Sequence, residues 1–109
     1  MVIGAGYLDR RITIRRKEEE NTSLGITGIW QDLATVWASR KDVSDGEKAA
    51  AGSLQSTVIA RFIVRSSSLT RGIVPRDELI EGGQSFEITG IKQIGRRDFL
   101  EITAQAKLD

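Results

Sequence analysis

Apolar residues in this chain recur at every second position, and this period limits what it can fold into more than any other feature. In residues 10–17, Arg-Arg-Ile-Thr-Ile-Arg-Arg-Lys, Ile12 and Ile14 share one side while Arg11, Thr13, Arg15 and Lys17 share the other. Such alternation belongs to a strand with one buried face and one basic, solvated face. In 54–65, Leu54, Val58, Ala60, Phe62 and Val64 lie opposite Thr57, Ile59, Arg61, Ile63 and Arg65. Residues 84–91 turn Phe86 and Ile88 inward, and 98–106 turn Leu100, Ile102, Ala104 and Ala106 inward. Segment 30–41 is apolar on both sides, with Trp30, Ala34, Val36 and Ala38 on one and Leu33 and Trp37 on the other. A strand of that kind is central, or it touches a second layer or another subunit.

The punctuation between these segments is equally local. Gly82-Gly83 joins a weak strand at 77–81 to the strand at 84–91, because glycine accepts the positive φ of a two-residue hairpin turn. Ser44-Asp-Gly-Glu47 matches a capping box, Lys48-Ala-Ala-Ala51 continues it, and Gly52 supplies a stop. The resulting helix has about two turns and needs tertiary or intersubunit contact to persist. Glu18–Glu20, Asn21, Gly25 and Gly28 read as a mobile loop over 18–29. Segment 66–75 reads as a loop ended by Pro75, and Gly95-Arg96-Arg97 as a turn. Flexibility is expected in 1–7, 18–29, 42–53 and 66–75. At 109 residues the chain makes one domain. The expected fold is all-β: a small six-stranded antiparallel barrel or compact sandwich with one short helix and long loops.

What the chain lacks narrows its chemistry. It contains no cysteine and no histidine, so there is no disulfide, thiolate or imidazole to work with. An enzyme is therefore the least favoured class, and no cofactor or metal is expected. Asp42, Asp45 and Glu47 lack the order of a calcium loop, and Ser44 and Glu47 are better explained as helix caps. No glycine run leads into Lys-Ser or Lys-Thr, and Gly4-Ala-Gly6 precedes the first strand instead of following one. The first residues lack the pattern of a signal peptide, and no run approaches the roughly 18 apolar residues of a membrane span. A cytoplasmic origin without a membrane partner is expected. Sixteen basic and fifteen acidic residues leave a net charge of +1. Arg10, Arg11, Arg15, Arg16 and Lys17 on one strand, with Arg96 and Arg97 on a turn, supply the basic half of a single-strand-binding small barrel. The stacking half is poor, with one Tyr, two Trp and three Phe, and Glu18–Glu20 repel phosphate. Charge that keeps the strand solvated is the preferred reading, and a nucleic-acid module the alternative.

Leu8-Asp-Arg-Arg-Ile-Thr-Ile14 followed by Trp30-Gln-Asp-Leu-Ala-Thr-Val-Trp-Ala-Ser39 resembles the head–tail joining family of tailed bacteriophages, also called head-closure, stopper or head–tail adaptor proteins. Gly46-Glu47 before Ala49–Ala51, Arg61-Phe-Ile-Val-Arg65, Gly83-Gln-Ser-Phe-Glu-Ile88 and Arg97–Glu101 continue the pattern in order. The resemblance spans roughly residues 8–105. It departs at 66–75, where the family often has a Pro-Gly turn and this chain has Ser-Ser-Ser-Leu-Thr-Arg-Gly.

The resemblance implies a virion protein without catalysis, assembled in a bacterial host. Its subunit is expected to form a ring, commonly of twelve, below the portal and adaptor rings, and to be monomeric when alone. The ring closes the channel on packaged double-stranded DNA and offers a docking surface to tail terminator or tail-tube proteins. A role in tail completion alone is the related alternative. The first candidate for a channel-gating loop is 42–53, with Asp42, Ser44, Asp45, Gly46, Glu47 and Lys48; the second is 18–29. Glu18, Glu19 and Glu20 are lumen or loop candidates. Arg11, Arg15, Lys17, Trp30 and Trp37 are candidates for ring or partner contacts.

Overall fold

The computed structural model describes residues 7–22, 25–52 and 57–106. Six strands follow in order, β1 (Arg10–Thr22), β2 (Gly25–Asp42), β3 (Ile59–Arg65), β4 (Glu78–Glu81), β5 (Gln84–Ile94) and β6 (Phe99–Ala106), with one helix, α1 (Asp45–Ala50), between β2 and β3. All neighbours are antiparallel, and β4 pairs back onto β1 to close the barrel in the order β1-β2-β3-β6-β5-β4. The expected all-β architecture is the observed one.

The inward positions are those set by the two-residue period. Ile12, Ile14, Ala38, Ala60, Phe62, Val64, Leu79, Phe86, Ile88, Leu100, Ile102 and Ala104 are buried and form one core. Phe62 and Phe86 meet edge-to-face at 5.4 Å between centroids. Alanines sit beside these large rings, with Phe86 opposite Ala106 and Ala60 opposite Ala104. That alternation of large and small fills a narrow barrel. Gly82 and Gly83 both have positive φ, at 58° and 80°, and make the expected hairpin turn between β4 and β5.

Three expectations are corrected. Residues 18–22 and 25–29, expected in a loop, are strand. Glu18, Glu19 and Glu20 continue β1, paired with Ile29, Gly28 and Thr27 of β2. The main-chain ladder holds this ribbon together whatever its side chains, so its charges and glycines misread as loop. Val58, placed inward by alternation, is 42% exposed, while Thr57, placed outward, is only 5% exposed. The strand begins at Ile59, and the two preceding residues follow the approach from the helix instead of the pleat. Finally, 66–75 is not a loose loop. Thr70 Oγ1 donates to the Arg65 carbonyl at 2.7 Å and accepts from Ser67 N–H at 2.8 Å. A 3₁₀ turn at Thr70–Gly72 follows, and Ile73 joins the core. Leu54 and the expected flexible residues 1–6 lie outside the described residues, as do 53–56.

The register between β1 and β2 slips at Ile14/Arg15, where Leu33 is the extra residue. This bulge lies where β1 makes its last pair with β4, Arg15 opposite Glu78. A bulge increases local twist, and beyond it β1 and β2 leave the barrel as a two-stranded arm of seven pairs, Arg16↔Gln31 to Thr22↔Gly25. At about 3.3 Å per residue the arm is roughly 23 Å long. It explains the 52 Å longest dimension and a radius of gyration of 15.1 Å, above the roughly 13 Å of a compact chain of this length.

Candidate functional site

The barrel interior is filled, so any function lies in what the barrel carries on its outside. Five features stand out: the arm, the charged base of the arm, a charged barrel mouth, α1, and a cluster of Arg11 with Trp37.

At the base of the arm, the basic side of β1 is already neutralised from within. Arg15 Nη2 donates to Glu78 at 2.8 Å, and Arg16 donates through Nε and Nη2 to Asp77 at 2.8 and 3.0 Å. Arg16 also donates to the Gly72 carbonyl at 2.9 Å. Asp77 accepts from Val74 N–H at 2.9 Å as well, which fixes the approach to β4. The Asp77 hydrogen bond raises the Arg16 guanidinium above its already alkaline range, against desolvation. Arg15 also lies 5.5 Å from the Trp30 ring, and the Lys17 stem crosses the backbone of Gly28. A Cβ at Gly28 would displace the flexible end of the Lys17 side chain. Arg15 of the expected basic face, and Arg10 and Arg16 beside it on β1, are paired with carboxylates 61 to 71 residues away in sequence. Three of the seven basic residues behind the nucleic-acid reading, Arg10, Arg15 and Arg16, are thus already paired within the subunit.

The inward period continues past the hydrophobic core as charge. Arg10, Arg40 and Glu81 occupy inward positions at a barrel mouth. Glu81 accepts from Arg10 at 3.1 Å through Oε1 and from Arg40 at 3.0 Å through Oε2. Arg40 also donates to Asp42 at 2.8 Å and lies 5.4 Å from the Phe86 ring and 5.8 Å from Phe62. Its hydrogen bond to Asp42 raises its pKa further, again against desolvation. Asp42 is therefore a partner of Arg40, at the foot of the expected gating segment.

Ser44 caps α1 as expected: its side chain accepts from the Glu47 N–H at 3.2 Å. The Glu47 carboxylate reaches Arg61 of β3 at 3.0 Å. Lys48 points beneath the helix, buried, with Nζ donating to the Thr57 carbonyl at 2.8 Å and pairing with Asp45 at 3.1 Å. The helix is thereby fastened to the barrel wall, while Asp45 and Gly46 face solvent.

Arg11 and Trp37 form a separate cluster. They are directly opposite in register on the outer face, with the guanidinium 4.9 Å from the ring. Trp37 is 52% exposed and lines a shallow, mainly apolar groove with Leu8, Val36, Arg65 and Thr70. The five expected interface residues therefore divide in two: Arg11 with Trp37 on the barrel, and Arg15, Lys17 and Trp30 at the arm. Sequence reasoning missed Arg40, Asp77, Glu78 and Glu81 as members of the network. The signal was present in Asp77-Glu-Leu-Ile-Glu81, where three carboxylates flank a short apolar strand and, once buried, require cationic partners.

Among the described residues no cluster of acidic side chains is arranged to hold a metal ion, and no helix is long and apolar enough to cross a membrane.

A family model described as phage head completion protein matches residues 3–107. No curated protein sequence matches the chain. Among solved structures, protein SF1141 from Shigella flexneri 2a, known in solution, is 26% identical, with a TM-score of 0.75 over 95% of this chain and 96% of that one. A chain in the virion of a native gene transfer agent particle is 20% identical, with a TM-score of 0.70 over 93% of this chain and 96% of that one. At that identity the second likeness speaks for the fold alone.

Proposed function

We propose, from the premise that this chain belongs to the phage head completion protein family, that it is a connector subunit forming a ring below the portal and adaptor. The family is one of virion structural components. In the proposed role the ring closes the channel on packaged double-stranded DNA and presents the surface to which tail terminator or tail-tube proteins attach.

The match over residues 3–107 carries this reading. The geometry supports it in two ways. A barrel with a packed interior offers a rigid body, and two appendages, the arm and α1, offer contacts beyond it. Segment 42–53 is the proposed gate: α1 is fixed to the wall by Lys48 and Arg61, while Asp45 and Gly46 remain outside. Repeating one small protrusion around a symmetry axis narrows a channel from all sides at once. Acidic side chains lining such a channel would keep an exiting duplex from adhering; Asp45 and Glu47 stand on this protrusion, each paired with a cation of its own subunit, Lys48 and Arg61. Glu18 and Glu19, on the arm, are the second candidates for such a lining.

The test is a strain lacking this gene. Nuclease-protected DNA in purified heads is quantified, and the same sample is viewed by electron microscopy. Heads that fill and then lose DNA, beside unattached tails, support closure and joining. Filled, stable heads without tails restrict the role to tail attachment. Normal tailed particles overturn the proposal.

A further inference from the structure

We propose that one corner of the barrel, where β3 ends and β6 begins, is a binding surface for the phosphate backbone of double-stranded DNA. The inference rests on the connector reading above for the identity of the polyanion, and it names the side chains that hold it.

The arginines of the chain divide by their partners. Arg10, Arg15, Arg16, Arg40 and Arg61 each have a carboxylate partner within the subunit. Arg76 stands apart, at the base of the arm. Arg11, Arg65, Arg71, Arg96 and Arg97 are exposed and have no ion pair among the described residues. Local contacts gather these five. The Ser66 N–H donates to the Asp98 carbonyl at 3.0 Å, which joins the end of β3 to the turn that carries Arg96 and Arg97. Arg65 lies 6.0 Å from the Phe99 ring, and Arg71 Nη1 donates to Ser66 Oγ at 3.4 Å. Arg11 and Arg65 both line the Trp37 groove. Asp98, in the same turn, forms no ion pair with any of them.

Like charges gathered without carboxylates repel one another, and a bound anion relieves them. Guanidinium groups match phosphate oxygens with two parallel hydrogen bonds. Arg97 adds an independent sign. It is held at φ of 63°, a region that side chains with a Cβ rarely adopt and glycine adopts freely. What arginine brings to that position is its charge. The rings favour a duplex over a single strand. Single-strand sites stack bases on open aromatic faces, whereas here the guanidinium groups of Arg11 and Arg65 lie over Trp37 and Phe99. The corner therefore suits backbone contact without sequence preference. It is also separate from the acidic residues of the proposed gate: α1 is tied to β3 through Arg61, and Arg65 is at the far end of that strand.

The purified chain is titrated against a labelled blunt duplex of arbitrary sequence, by fluorescence anisotropy at several salt concentrations. Each phosphate contact adds about −0.9 to the slope of log affinity against log salt, so with every arginine engaged a fourfold rise in salt should weaken binding by up to about 500-fold. Arg71→Ala and Arg97→Gly should each weaken binding and reduce the slope by about one. Glycine suits the φ of residue 97, so a loss of binding there is not a loss of fold. Lys17→Ala and Arg76→Ala remove the same charge beside the arm and should leave the slope unchanged. Absence of duplex binding at low salt overturns the proposal, as does an equal loss on Lys17→Ala or Arg76→Ala. Tighter binding of a single strand of the same sequence overturns it in favour of a stacking site. Displacement of the duplex by polyglutamate at equal charge overturns it in favour of an acidic protein surface. No heads enter this measurement, so its failure leaves the ring reading standing. Normal tailed particles from the strain lacking the gene would defeat the ring reading without touching the binding result.

Discussion

The Nζ of Lys48 donates to the main-chain carbonyl of Thr57 at 2.8 Å, and both residues are buried. A six-residue helix is too short to persist on its own propensity, and this bond, with the Glu47–Arg61 pair, secures it to the barrel wall. Lys48→Met preserves most of the packing and strands the carbonyl. It should cost about 1–3 kcal/mol, a fall in melting temperature of roughly 4–8 °C per kcal/mol, read by thermal denaturation. An unchanged melting temperature would count against the anchor.

Glu81 should carry most of the stability of the barrel mouth, because one carboxylate serves two guanidinium groups. Glu81→Gln is expected to cost about 2 kcal/mol, between the small value of an exposed pair and the 3–5 kcal/mol of a buried one. Arg10 is the more exposed partner, at 55% against 20% for Arg40. Arg10→Ala should therefore cost under about 1 kcal/mol, and less than Arg40→Ala. Urea denaturation of the variants checks the order. Asp42 raises Arg40 beyond an already alkaline value. A raised folded-state pKa gives stability that is complete below the unfolded value and is lost as pH rises through the folded one. Arg40's contribution should therefore not vary from neutral to moderately alkaline pH.

The two turns make opposite predictions. Gly83 has φ of 80°, and Gly83→Ala should destabilise by about 1–2 kcal/mol. Arg97 adopts φ of 63° without being glycine, so Arg97→Gly should be neutral or stabilising by up to about 1 kcal/mol. Chemical denaturation resolves both signs.

Deleting residues 45–51 removes the proposed gate. Heads carrying this form should retain the protein and lose nuclease-protected DNA. Gly83→Ala is the control, since it destabilises the β4–β5 turn without touching the segment, and its heads should hold their DNA. Retained DNA in the deletion form would move the gate elsewhere in the subunit.

Features encoded by neighbouring residues were legible in the sequence. The Ser44 cap, the Gly82-Gly83 turn and the inward alternation at Phe86–Ile88 and Leu100–Ala106 all depend on positions two to four apart. The arm was not legible, because seven main-chain pairs hold it and its side chains carry no alternation of the usual kind. The arginines of β1 misled for a related reason. Their charge was plain, but the carboxylates that neutralise Arg15 and Arg16 lie more than sixty residues on, at the start of a four-residue strand and just before it. Thr57 and Val58 show the reverse error, a pattern extended two residues beyond the strand that generated it. Of the expected interface residues, the register brought Arg11 and Trp37 together, a pairing that alternation within either strand could not reveal.

Closure of β4 onto β1 has a consequence for the protein before assembly. A sheet closed on itself exposes no run of unpaired N–H and C=O groups to which a stray strand could add. Closure is partial along β2 and β5, whose neighbours β3 and β4 pair with only part of their length, and the outer rims of the β1–β2 ribbon are open; there Arg16, Lys17, Glu18 and Glu19 crowd four consecutive charges along β1. Such charge resists indiscriminate strand addition. Charge along this edge therefore opposes aggregation of the free chain through it.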